Sequence, residues 1–273
     1  MKLGMLLRNS GPVSTPEFIA ECARAGDSSG LDSLWVLDHV AIPPDDAEGS
    51  GGRYVDALAT LAFVAGITSR IRLGTSVLVV PYRPPLATAN WVAAIQELSN
   101  ERLVLGVGAG WMETEFIVSD ADRSARGRIT DDTLAFMHEC FANDIVTRHD
   151  KPFIFSPRPQ RPPIIVGGKG PHVINRIVRY GDGWMPTSGD VSELAAQIES
   201  LNGAMNAAGK PNAIVIPLTQ IDTSDIGKGA EQLAALAAVG CTEVNHTARY
   251  ESADEFIRCS DQLLEARNRA GLA

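Results

Sequence analysis

Gly167, Gly168 and Gly170 flank Lys169 directly after the apolar run Ile164-Ile165-Val166 and before a stretch that reads as a short helix ending ahead of Gly181. Glycines leave little side-chain bulk, so the backbone N–H groups of such a turn can close around a bound group. At a helix start those unpaired N–H groups and the positive end of the dipole converge, which makes an anion site. Lys169 adds a charge to it. The same glycines also serve a plainer purpose, letting a strand turn tightly into a helix, and from the residues alone both readings stand. A second candidate is the pair Asp38-His39, between the apolar run Leu34–Leu37 and a Pro/Gly/Asp-rich loop over residues 43–52. An imidazole titrates near pH ~6.5, so His39 can donate or accept a proton around neutrality, and Asp38 can fix its tautomer. Its alternative is a histidine that merely packs and hydrogen-bonds at a strand end. His246, closing the last strand, competes for the same role.

The chain has 273 residues, 45% hydrophobic and 21% charged, enough to build a large core. Its formal net charge of −9 and the lack of a basic run argue against a nucleic-acid surface. Cys22, Cys140, Cys241 and Cys259 are widely spaced with no C-x-x-C pair and no histidine cluster nearby. They read as free thiols in a reducing compartment, so neither a disulfide framework nor a metal site is expected. No segment approaches a membrane span and the N-terminus is too short in apolar residues for a signal peptide, so a cytoplasmic location is expected.

These residues need a frame that brings distant strand ends together. The chain alternates strand and helix throughout: apolar runs over 2–7, 34–37, 71–80, 102–107, 164–166, 184–186, 213–221 and 242–246 are separated by stretches of helical spacing. Thr15 or Ser14 caps the first helix, with Pro16 in its first turn. Two departures interrupt the alternation. A polar segment over about 111–128 reads as mobile, and a small hairpin is expected over about 146–155. Some eight β-α units with no linker and no composition break predict one α/β domain over residues 1–273, a (β/α)₈ TIM barrel, with a doubly wound open sheet as runner-up. In a barrel, chemistry gathers where strands end and βα loops begin, which picks out Asn9, Asp38-His39, Thr75–Val80, Gly108–Met112, Gly167–Pro171, Trp184–Thr187, Gln220 and His246.

Four segments at those strand ends resemble the luciferase-like monooxygenase superfamily, and within it the coenzyme F420-dependent oxidoreductases. They are GLDSLWVLDHV (Gly30–Val40), SRIRLGTSVLVVPYRPPLATA (Ser69–Ala89), ERLVLGVGAGWMETEF (Glu101–Phe116) and IIVGGKGPHVINRIVRYGDGWMP (Ile164–Pro186). The resemblance implies a bacterial luciferase-like TIM barrel carrying F420, a deazaflavin, or FMN over its C-terminal mouth. It implies a hydride-transferring oxidoreductase acting on a small organic substrate, and a homodimer or higher homo-oligomer. The alternatives are an FMN-dependent monooxygenase served by a separate reductase, and a non-catalytic flavin- or deazaflavin-binding protein.

Residue by residue, the resemblance gives Asp38-His39 the strand-two position where the histidine faces the reactive part of the tricycle. It gives Ser76-Val77 a non-prolyl cis peptide against that ring. Asn9, Gly108, Ala109, Gly110 and Trp184 become cofactor-facing, and Gly167, Gly168, Lys169 and Gly170 the phosphate turn. The sugar-phosphate dehydrogenases of the superfamily carry a carboxylate just after the strand-four glycines, where this chain has Trp111. That departure argues against sugar-phosphate oxidation and for an apolar substrate pocket around Trp111 and Met112, with His246 near it. Glu113 and Glu115 are expected in a different register. Arg123, Arg126 and Arg128 are available to meet the acidic tail of a deazaflavin.

Overall fold

The computed structural model describes residues 1–273. In chain order the elements are β1 (Lys2–Leu6), α1 (Pro16–Ser28), β2 (Ser33–Val36), α2 (Ala57–Ala65) and β3 (Arg72–Thr75, resuming as Leu78–Val79). Then come α3 (Pro85–Leu98), β4 (Leu103–Gly108), α4 (Glu113–Val118), α5 (Arg126–Ala142), β5 (Ile164–Gly167) and α6 (Pro171–Tyr180). The series ends with β6 (Gly183–Met185), α7 (Val191–Ala207), β7 (Ile214–Val215 and Leu218–Thr219), α8 (Ile226–Ala238), β8 (Glu243–His246) and α9 (Ala253–Arg269). All ladders between these strands are parallel, in the order β1 to β6, with β8 returning to β1.

The strand β7 decides between a barrel and an open sheet. Its first half pairs with β6 and its second half with β8, and the bend between them falls at Pro217. Backbone N–H groups of Ile216 and Leu218 donate to Trp184 and Pro186 on one side, while Pro217 and Thr219 accept from Asn245 and Thr247 on the other. The ring therefore closes through β7, and the fold is a (β/α)₈ barrel.

Trp35, Val104, Ile165, Met185 and Ile216 fill the barrel interior. Trp35 fits because Gly4 and Gly74 face it; a Cβ at either glycine would overlap the indole. Its Nε1 donates to Ser33 Oγ at 2.7 Å. Ser33 in turn bonds Glu243, whose other oxygen meets Arg72 at 2.6 Å, so the polar floor of the barrel is paired. The larger apolar core lies between strands and helices.

The strand over 71–80 forms in two pieces, and between them Ser76-Val77 has the cis peptide bond that the resemblance implies. The helix α2 begins at Ala57, because the Asp56 side chain accepts from Ala59 N–H and caps it there. The segment 111–128 is not featureless: it contains α4, and Arg126 already lies in α5. The hairpin forms from Ile145–Arg148 and Lys151–Ile154, with His149 and Asp150 at φ of 50° and 58° in the turn. No helix is long and apolar enough to cross a membrane.

Candidate active site

A cleft of about 1050 Å³ opens at the C-terminal end of the strands. His39 reaches it from the loop after β2, Ser76 and Val77 from the break in β3, Gly108 to Trp111 from the end of β4, and Gly167 to Lys169 from the end of β5. Glycine is required by close packing here. A Cβ on Gly108 would come within 2.6 Å of Val77 Cγ2, and one on Gly167 within 3.0 Å of Val77 Cγ1. Val77 is thus pressed between two strand ends and lines the cleft.

At one end of the cleft, His39 is held by aromatic rings and one carboxylate. Its ring centroid lies 4.9 Å from Tyr54 and 6.5 Å from Trp111. Its Nδ1 lies 3.2 Å from Glu115 Oε2. Glu115 also accepts from Tyr82 Oη at 3.2 Å and from the N–H groups of Val40 and Ala41 at 2.7 and 3.1 Å. Burial alone would raise its pKa, but the bonds from His39, Ala41 and Val40 outweigh it and hold the carboxyl below the usual range. An ionised carboxylate only accepts, so Nδ1 is the donor. No protein partner meets Nε2.

At the other end the Gly167–Gly170 turn leads into α6. Gly168 and Gly170 have φ of 121° and 83°, and Pro171 occupies the first helical position. The N–H groups of Val173 and Ile174 turn back on Gly170 O, whereas those of Gly168, Lys169 and Gly170 donate to no protein atom. Trp184 supports the turn from behind, donating to Gly168 O at 2.9 Å. Lys169, His172 and Arg179 from this side and Arg126 and Arg128 from α5 line the same end. Arg176 does too, but its charge is spent on Asp131 at 2.6 Å.

Several expected residues are placed elsewhere. Asp38 does not orient His39; both its oxygens are taken by Arg83, at 2.7 Å each, and by Val79 N–H. Asn9 is buried away from the cleft, where it accepts from Leu37 N–H and donates to Leu37 O and Val55 O, tying β1 to the end of β2. His246 is also outside the cleft. Its Nδ1 accepts from Ile221 N–H, its Nε2 lies 3.4 Å from Cys259 Sγ, and burial lowers its pKa to about 4. Met112 is buried at the start of α4 and Trp184 lies behind the turn, so neither lines the cleft, while Trp111 stands at its lip, 68% exposed. Arg123 is turned toward Glu113 at 3.9 Å.

The residues that sequence reasoning missed are Glu115, Tyr82, His172 and Arg179. The first was legible in principle. Once Glu113 starts a helix, Glu115 and Phe116 fall on its inward face, and Glu115 is accordingly 1% exposed.

The chain is similar to known proteins over most of its length. Residues 1–222 match the family model described as luciferase-like monooxygenase. An F420-dependent glucose-6-phosphate dehydrogenase of Amycolatopsis mediterranei is 31% identical over 268 residues, covering 91% of this chain and 78% of that protein. Among solved structures, an F420-dependent secondary alcohol dehydrogenase in complex with an F420-acetone adduct superimposes with a TM-score of 0.80 at 15% identity, over 97% of this chain and 99% of that one. A monooxygenase from Streptomyces bottropensis gives 0.77 at 19% identity, over 97% and 99%. The two structures speak for the barrel; the family match runs through every strand from β1 to β7, and with it the chain belongs to the luciferase-like monooxygenase family.

Proposed function

We propose that this oxidoreductase binds coenzyme F420 across the barrel mouth and moves a hydride between it and a small apolar organic substrate, with His39 handling the accompanying proton. One observation carries the reading: a single cleft has free amides and cations at one end and a histidine among aromatic rings at the other. The Gly168–Gly170 amides, Lys169 and the start of α6 suit a phosphate. Arg126, Arg179 and His172, beside an Arg128 paired with Asp132 at 3.4 Å, extend that end beyond what one phosphate needs, and so suit the additional negative groups of a deazaflavin tail better than FMN. The glycines at 108 and 167, backed by Val77, leave room for a flat ring. When bound, the deazaflavin supplies the carbon that gives or takes the hydride.

The protein's own part is positioning, exclusion of water and proton transfer. Trp111, Val79 and Leu37 give the His39 end an apolar wall, with Tyr54 packed against the imidazole, which favours an uncharged substrate over a sugar phosphate. A hydride added to such a substrate leaves a developing anion, and protonated His39 Nε2 is the group placed to neutralise it. In the reverse direction neutral Nε2 accepts the proton.

Titration of purified apoprotein with F420 and with FMN, read by fluorescence and native mass spectrometry, tests the assignment. F420 is expected to bind at least about tenfold more tightly, a difference of about 1.4 kcal/mol. Salt should narrow the gap, because the arginines lie near the surface. Tighter FMN binding at low and high salt would overturn the assignment in favour of an FMN-dependent monooxygenase.

A further inference from the structure

The arrangement around Glu115 has a consequence for the proton on His39. Its two oxygens are not equivalent. Oε1 accepts from two backbone N–H groups, those of Val40 and Ala41, which are fixed donors. Oε2 faces His39 Nδ1 and the Tyr82 hydroxyl. Glu115 borders the cleft, but with four donors around it and 1% exposure its oxygens are already engaged by the protein. Nor can the neighbouring carboxylate act in its place, because Asp38 is fully engaged by Arg83 and Val79.

We infer that Glu115 is a positioning residue that imposes the Nδ1–H tautomer on neutral His39, so that Nε2 is presented to the cleft as a proton acceptor and, once protonated, as a proton donor. The functional weight of this inference rests on the hydride-transfer reading above, but the tautomer itself does not. Tyr54 and Trp111 fix where the ring lies, and Glu115 fixes which nitrogen carries the hydrogen. Glu115 lies four residues beyond Trp111, on α4, and acts through the histidine.

The isosteric change Glu115→Gln gives an opposite and specific expectation. Its amide oxygen must take the Oε1 position, because two N–H donors converge there and an NH₂ group would meet both head-on. The NH₂ group is then directed at His39 Nδ1 and at the Tyr82 oxygen. Nδ1 has to become an acceptor, and the hydrogen moves to Nε2.

The test is a long-range ¹H–¹⁵N correlation spectrum of histidine-labelled apoprotein at a pH where imidazoles are neutral, with His39 assigned by its absence in His39→Ala. The measurement needs neither cofactor nor substrate, so failure of the F420 assignment would leave its outcome untouched. The expected result is Nδ1–H in the native protein and Nε2–H in Glu115→Gln. Nε2–H in the native protein would overturn the inference without recourse to any variant. Retention of Nδ1–H in a folded Glu115→Gln would overturn it as well.

Discussion

Asp38 and Arg83 form a two-pronged ion pair, each carboxylate oxygen 2.7 Å from a guanidinium nitrogen, with side chains 1% and 7% exposed. Adjacent in sequence, Asp38 and His39 therefore serve different masters. Asp38 turns inward and pins the stretch after the β3 break through Val79 N–H, while His39 turns to the cleft and finds its carboxylate 76 residues away. Arg83 reaches further to Asp56, which caps α2, so one guanidinium joins the loop after β2, the end of β3 and a helix start.

Removing one member of such a pair leaves a buried charge without compensation. Arg83→Met is expected to cost about 3–5 kcal/mol, measured by urea unfolding. The double change Asp38→Leu with Arg83→Met should recover much of that loss, because the uncompensated carboxylate is gone. A single change within 1 kcal/mol of the native protein would show that water or relaxation replaces the guanidinium. The half-exposed Asp56 contact contributes little to either number.

Gly168→Val tests the turn. Gly168 has φ of 121°, and a Cβ there would come to 3.0 Å from Val173 Cγ2. The turn lies beyond the barrel ladders, so the strain falls on the loop and on the approach of an anion to its amides. F420 affinity should drop about tenfold or more, read by titration, with only a modest fall in Tm. Unchanged affinity in the folded variant would remove the turn from the binding site.

The barrel was legible because each strand is a short apolar run bounded by turn residues, and strand–helix alternation admits few other folds. The glycine turn and His39 were legible for a related reason: both lie at strand ends, where local sequence fixes position. What sequence could not supply was side-chain direction. His246 ends β8 just as His39 follows β2, yet it faces the layer between strands and helices, where Cys259 and Ile221 N–H meet it. Asn9 likewise follows β1 but points into the joint between β1 and β2. Glu115 was missed because its helix is six residues long and lies in a stretch whose polar composition suggested a loop.

Burial of His246 makes the fold sensitive to mild acid. Its pKa falls from 6.5 to about 4 because burial penalises the charged ring. Below pH 6.5 the unfolded chain binds a proton that the native chain refuses, so stability is full above that pH and declines as pH falls toward 4. Between pH 7 and 5 the loss should be about 2 kcal/mol, a range in which carboxylates with lowered pKa, such as Glu115 and Asp182, stay ionised. His138, also lowered by burial, adds in the same direction. His246→Asn should flatten the profile in urea unfolding at several pH values; an equally steep profile would assign the sensitivity to another group.

His39→Ala separates proton transfer from binding. The ring sits at the aromatic end of the cleft, away from the Gly168–Gly170 amides and the cations of α5 and α6, so cofactor affinity should stay nearly intact. His246 offers no substitute, being 1% exposed and held neutral by burial at working pH. Tyr82 is no better as an acid, since burial and the adjacent Glu115 push its phenol far above neutrality. Loss of a general acid typically slows a reaction by about 10²- to 10⁴-fold, well beyond what a small packing defect produces. Single-turnover oxidation of reduced F420 with an apolar carbonyl such as acetophenone, measured beside F420 affinity, decides the role. A large fall in rate at constant affinity is expected. A constant rate would make His39 a packing residue, and lost affinity with an intact rate would make it a binding contact only.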